Sequence, residues 1–209
     1  KPFTPANAKQ AALCFNGDVY WGLDGKTVPP ETWDWSQQHL AILSGMFGIL
    51  RPLDLMQPYR LEMGTPIPSR RGKNLYAYWG ESVTKQINLT TAEHADRTVV
   101  NLASGEYSRV VHADQLAGGM LTIAFKELRP TGPKMIGVVA KRSRGRFARW
   151  MIDQRIETRE QLLGFDLDDY AFDPGLSDDS TWTFTRTEVA GRMQAEFQAR
   201  KVRDAKLFA

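Results

Sequence analysis

Short apolar runs alternate along the chain with clusters of glycine, proline and small polar residues, a pattern of mixed helices and strands. From about Asn7 to Phe15 the spacing predicts a short helix. Gly17, Gly22 and Gly25 then mark turns that carry Tyr20 and Trp21 between them. Ser36 is placed to cap a helix running to about Met46, with Leu40, Leu43 and Phe47 on one face at i, i+3 and i+7. Gly45 and Gly48 bracket its end and Arg51-Pro52 closes it. That fits a tight helical hairpin, or a helix end with a left-handed glycine. Residues 53 to 71, broken by Pro58, Pro66 and Pro68, read as an irregular loop of the long kind that often carries function. A helix from about Asn74 to Asn88 turns Trp79, Val83 and Ile87 inward, so 36–90 reads as a helical excursion.

Buried strands are expected over Arg97–Leu102, Leu121–Phe125 and Lys134–Ala140, with a sharp turn at Ala103–Tyr107 of the kind that holds ligand groups in α/β proteins. A helix follows over Ser143–Gln154, with Phe147, Trp150 and Met151 as its apolar stripe. Thr158 with Gln161 reads as a capping box. Trp182 and Phe184 alternate with Thr181, Thr183 and Thr185, which predicts a strand with one wet face. Residues 189 to 208 are polar and fit a terminal helix. The expected fold class is α/β, a mixed sheet with surrounding helices, in a single domain over 1–209.

Composition is that of a globular protein, 42% apolar and 24% charged, which excludes a disordered chain. The net charge of +3 says less than its distribution. Lys141, Arg142, Arg144, Arg146 and Arg149 put five positive charges within nine residues, with no acid among them. Asp166, Asp168, Asp169, Asp173, Asp178 and Asp179 follow as an acidic stretch. A polarised surface results, and its basic patch would attract phosphate or a nucleic-acid backbone. The plainer alternative is two solvated faces. Cys14 is the only cysteine, so no intrachain disulfide forms, and it reads as a small buried hydrophobe. No run is apolar enough to cross a membrane. His39, His94 and His112 lie far apart without ligand spacing, and the acidic run has no calcium-loop pattern. No metal site and no cofactor are expected.

Several blocks resemble the YaaA family of bacterial peroxide-stress proteins, in order along the chain. They are Gly17-Asp18-Val19-Tyr20, the run from Gln38 through Gly45 and Gly48 to Asp54, Met56 to Gly64, Leu75-Tyr76 with Trp79-Gly80, Asn101 to Tyr107, and Lys141 with Arg144-Gly145 and Arg149. The resemblance implies a cytoplasmic protein made under peroxide stress, which limits free iron and so protects DNA. It also implies a basic cleft that binds DNA and a helix-hairpin-helix-like element, carried here onto Gln38 to Leu53. The cleft charges map onto Lys141, Arg144 and Arg149, with Arg142 and Arg146 as this sequence's additions. Family members usually begin with a strand and a Ser-Pro-Ala-Lys segment. Against that pattern the chain reads as lacking roughly its first 60 residues.

Two functions compete. For DNA, glycine backbone and arginine side chains would hold phosphates, largely independently of sequence. The residues are Gly45, Gly48, Arg51, Arg60, Lys141, Arg142, Arg144 and Arg149, with Tyr59 or Tyr107 as a stacking ring. For an enzyme, Glu62, Ser104, Glu106, Tyr107, Arg109 and Lys141 offer a base, hydroxyls and an anion clamp. A DNA binder would leave Arg51, Arg144 and Arg149 on one continuous surface, whereas an enzyme would gather Glu62, Glu106 and Lys141 in a pocket.

Overall fold

The computed structural model describes residues 4–187, so the expected terminal helix over 189–208 lies outside the described residues. In chain order the elements begin with strand β1 (Lys9–Gln10), helix α1 (Ala11–Cys14), α2 (Asp18–Leu23) and α3 (Pro30–His39). Next come β2 (Ile42–Ser44), β3 (Gly48–Leu50), β4 (Leu55–Met56), α4 (Leu75–Trp79), α5 (Ser82–Thr90), β5 (Val99–Asn101) and α6 (Gly105–Ser108). The long strand β6 (Met120–Arg129), β7 (Gly132–Lys134), the long helix α7 (Gly137–Gln154), β8 (Ala171–Phe172) and β9 (Thr181–Thr187) complete the described chain.

The main sheet is mixed, in the order β5-β6-β9-β8. β5 and β9 run parallel to β6, and β8 runs antiparallel to β9. β7 folds back antiparallel on the far end of β6. β9 therefore lies inside the sheet, and its expected wet face is covered: Thr183 and Thr185 are buried with Phe184. Thr183 Oγ1 donates to the Leu176 carbonyl at 2.7 Å, so the hydroxyl is satisfied where solvent was expected.

The segment 38–53 corrects the helical reading. α3 starts at Pro30 and stops at His39, and Ser36 lies inside it, donating to the Thr32 carbonyl at 2.6 Å instead of capping. Residues 42–50 form the β2–β3 hairpin, with Ile42 opposite Leu50 and Ser44 opposite Gly48. No pair of helices flanks this turn, so the helix-hairpin-helix-like element is not what these residues build. Gly48 has φ +72°, and the Trp79 ring lies 2.8 Å from where its Cβ would stand. A Gly45 Cβ would meet the Leu61 carbonyl oxygen at 2.5 Å. The Trp79 indole N–H donates to the Gly45 carbonyl at 3.0 Å. Both glycines thus serve close packing.

Other boundaries shift. The expected 74–88 helix divides at Gly80, whose φ is +50°. The expected strand over 134–140 keeps only Lys134, because Gly137 already opens α7. The Asn7–Phe15 helix shrinks to α1, and residues 18 to 23 form helix α2 where turns were expected. The capping box at Thr158 and Gln161 is present, on a 3-10 turn.

α7 organises the core through its faces. Ala140, Phe147 and Trp150 join Phe125, Phe165 and Phe184 against the sheet. Ala148 and Ile152 join the cluster of α1, Trp33 and the hairpin residues Ile42 and Leu50. At Gly145 the helix touches α2 backbone to backbone: a Cβ there would overlap the Val19 carbonyl oxygen at 1.8 Å. A third cluster, with Met63, Val83 and Val110, supports α4 and α5.

Candidate functional site

The basic segment lies on α7, and the crossing with α2 divides it. Arg142, Arg146 and Arg149, spaced i, i+4 and i+7, line a small cleft of about 290 Å³ with Trp21, Gly22 and Asp24. Lys141 and Arg144 line a different space, a cavity of about 1190 Å³. The charges written as one run in the sequence therefore serve two surfaces.

Two of the three small-cleft arginines are paired, Arg146 and Arg149, while Arg142 has no carboxylate within salt-bridge distance among the described residues. Arg149 donates from Nε to Asp153 at 2.7 Å, from Nη1 to Thr27 Oγ1 at 2.7 Å and from Nη2 to the Thr27 carbonyl at 3.3 Å. Its side chain is only 22% exposed. It ties α7 to the α2–α3 connection. Arg146 pairs with Asp168 at 2.6 Å. Asp168 belongs to the acidic stretch read as solvation, and here it closes an ion pair across the fold. Behind it, Arg186 donates to Glu127 at 2.9 Å with both side chains buried, and to the Asp168 carbonyl at 3.2 Å.

Lys141 and Arg144 differ. Neither is within salt-bridge distance of a carboxylate among the described residues. Lys141 is exposed, while Arg144 is half-buried and its Nε is sequestered without a hydrogen-bond partner. Burial draws the Arg144 guanidinium below its ordinary value, the cost of holding a desolvated cation. A bound anion would relieve that cost.

The same cavity takes in Arg51, Glu62, Ser104, Glu106 and Tyr107. Arg51 is already committed: Nε and Nη2 both reach Asp54 Oδ1, at 3.1 and 3.0 Å. Arg60 lies outside the cavity lining with its side chain 94% exposed, 4.0 Å from Glu62, a loose surface contact. Glu106 Oε1 accepts from the Gly64 N–H at 2.8 Å, which fastens the 53–71 loop to the turn after β5. Asn101 shapes that turn by accepting from the Ala103 N–H at 3.0 Å and donating to Thr122 at 3.2 Å. Burial raises the Tyr107 phenol, with Tyr59, Glu106 and Glu62 adding to it. Arg109 falls outside the cavity lining and lies over the Tyr76 ring at 4.8 Å. Gly45 and Gly48 also lie outside it.

Chain segments far apart in sequence build this cavity. Arg144, Glu62, Ser104 and Glu106 all line this one space. Arg149 lies outside its lining, so the expected continuous Arg51–Arg144–Arg149 surface does not form. A family model described as Peroxide stress protein YaaA matches residues 1–176. The chain belongs to the YaaA peroxide-stress family. Among the relatives of this family member, a UPF0246 protein of Magnetococcus marinus is 50% identical over 186 residues, covering 89% of this chain and 72% of that one. A UPF0246 protein of Acaryochloris marina is 49% identical over 184 residues, 88% and 72% of the two chains. One of Caulobacter vibrioides is 48% identical over 179 residues, 86% and 70% of the two. YaaA membership carries an association with peroxide stress.

Sequence reasoning missed Tyr20 and Trp35 as cavity residues. Tyr20 lies in the Gly17–Tyr20 block, where the reading of turns hid α2. Burial pushes its phenol up, with Tyr59 and Tyr107 adding to the rise. The histidines were read as unrelated, yet His39 and His94 stack at 4.6 Å. Among the described residues no group of three or more His, Cys, Asp or Glu could hold a metal ion. Cys14 is half-buried, and burial raises its thiol, with Lys9 opposing. No helix among the described residues is long and apolar enough to cross a membrane.

Proposed function

We propose that this protein is a cytoplasmic peroxide-stress factor that binds DNA, with Lys141 and Arg144 on the wall of the large cavity as its principal phosphate contacts. One observation carries the reading: these two cations of the basic segment enter the cavity without a carboxylate partner, while Arg146 and Arg149 are paired elsewhere. An exposed lysine and a desolvated arginine on one cavity wall attract the phosphate backbone and give no base discrimination. Arg51 adds a cation to the same lining, already balanced by Asp54. In this reading the bound protein helps limit iron-dependent oxidative damage, as the family resemblance implies. The test is fluorescence anisotropy with a labelled duplex. Lys141→Ala with Arg144→Ala should lose about tenfold or more in affinity, while Arg146→Ala should bind as wild type does. Equal loss in both variants, or none in the first, would refute the assignment.

A second reading, an enzyme, is favoured by the pattern set out for it: Glu62, Glu106 and Lys141 line one cavity together with Ser104 and Tyr107, while Arg51, Arg144 and Arg149 share no single surface. Of the two glutamates in that group, Glu62 makes only the loose contact with Arg60 and is the candidate base, while Glu106 accepts from Gly64. Screening phosphoester and nucleotide substrates against wild type and Glu62→Gln separates this reading from simple binding.

A further inference from the structure

His39 ends α3, and His94 lies in the loop between α5 and β5. Their rings stack with centroids 4.6 Å apart and planes 12° from parallel. Trp35 stacks on His39 at 3.7 Å and 2°, which makes a three-ring column. His39 Nδ1 lies 2.8 Å from the Trp35 carbonyl, so a neutral ring with its proton on Nδ1 donates there. All three residues line the large cavity. The column is thus a side-chain link between α3 and the α5–β5 loop along that wall.

We propose that this column is an acid-opened clasp: neutral rings pin the His94 end of the α5–β5 loop to α3, and protonation of His94 frees that end and widens the cavity. Two neutral imidazoles stack favourably, whereas a charged His94 ring demands water that the stack excludes. The charged groups around the pair set the balance. Asp96, on the loop, already accepts from the Thr98 and Arg159 backbone N–H groups at 2.8 Å each. Arg51 and Asp54 hold each other. Glu157, beyond α7, remains to favour a proton. Burial and the neighbouring His39 nevertheless hold His94 below its ordinary value, with Glu157 opposing. The sign follows from that depression. The clasp contributes fully above the unfolded histidine value of about 6.5 and is lost as pH falls through the lower folded value.

The experiment is a histidine-ring NMR titration from about pH 8 to 5, paired with hydrogen exchange over residues 91–96. In the wild type the His94 ring protons should start shifted by ring current and move to free values as they titrate below about 6.5. Exchange over 91–96, corrected for its intrinsic pH dependence, should rise about tenfold across the same range. His39→Gln, which removes the ring that covers and depresses His94, should move the His94 midpoint upward and flatten that rise. A His94 midpoint at or above about 6.5, or unchanged exchange across the titration, would overturn the clasp. Neither result bears on whether Lys141 and Arg144 hold DNA, so the two ideas fail separately.

Discussion

Gly22 and Gly145 face each other where α2 crosses α7, and a Cβ built on Gly22 would stand 3.0 Å from the Gly145 Cα. The crossing has no room for side chains. A Gly22 Cβ would also meet the Arg142 carbonyl oxygen at 2.1 Å. This contact fixes the rotation of α7, and with it which basic side chains face the small cleft and which face the cavity.

Gly145→Ala should therefore destabilise the fold, by about 3 kcal/mol or more, because both partners at the overlap are backbone and cannot move aside cheaply. Urea denaturation gives the midpoint. A variant within about 0.5 kcal/mol of wild type would mean that the helices separate freely.

Arg149→Ala should cost stability rather than DNA affinity. It removes charge-assisted bonds to Asp153 and Thr27, worth about 2 kcal/mol together in a partly exposed setting. Thermal unfolding and anisotropy on the same preparation separate the two effects. Weakened DNA binding with an unchanged melting temperature would place Arg149 in the interface instead.

Glu127→Gln should be severe for a different reason. It leaves Arg186 buried without its carboxylate, at a cost of about 3–5 kcal/mol. Replacing both partners by apolar residues of similar size should recover much of that loss, and denaturation of the single and double variants measures it.

Asp96 sets an acid limit. Burial raises its carboxyl, but the hydrogen bonds from Thr98 and Arg159 outweigh that and hold it below the ordinary carboxylate range. Its contribution is complete above the unfolded value of about 3.9 and is lost as pH falls through the lower folded value. Urea midpoints of wild type and Asp96→Asn should therefore differ at neutral pH and converge in acid. A constant difference down to the lowest pH would contradict this.

Much of the fold was legible in the sequence. The β-branched and apolar run at 98–102, the Leu121–Phe125 stretch and the Thr158–Gln161 box each signal their element locally, and each is present. The 38–53 segment was not, because apolar residues three and four apart suit a helix face, and the pairing of Ile42 with Leu50 was not visible beside it. Thr183 and Thr185 suggested solvent because a hydroxyl is polar, yet β9 lies between β6 and β8 and buries them. Of the site, the charge on 141–149 was evident and its division was not. Asp153, four residues along the same helix, is a local partner for Arg149, but Asp168 at Arg146 and Thr27 at Arg149 are brought there only by the folded chain. The His39–His94 stack was hidden for the same reason.

The most direct test of the DNA reading is the salt dependence of duplex affinity for wild type and for Lys141→Ala with Arg144→Ala. If these two side chains neutralise two phosphates, the slope of log K against log salt should become shallower by about 1.8 in the double variant. A slope unchanged by the double substitution would contradict the account.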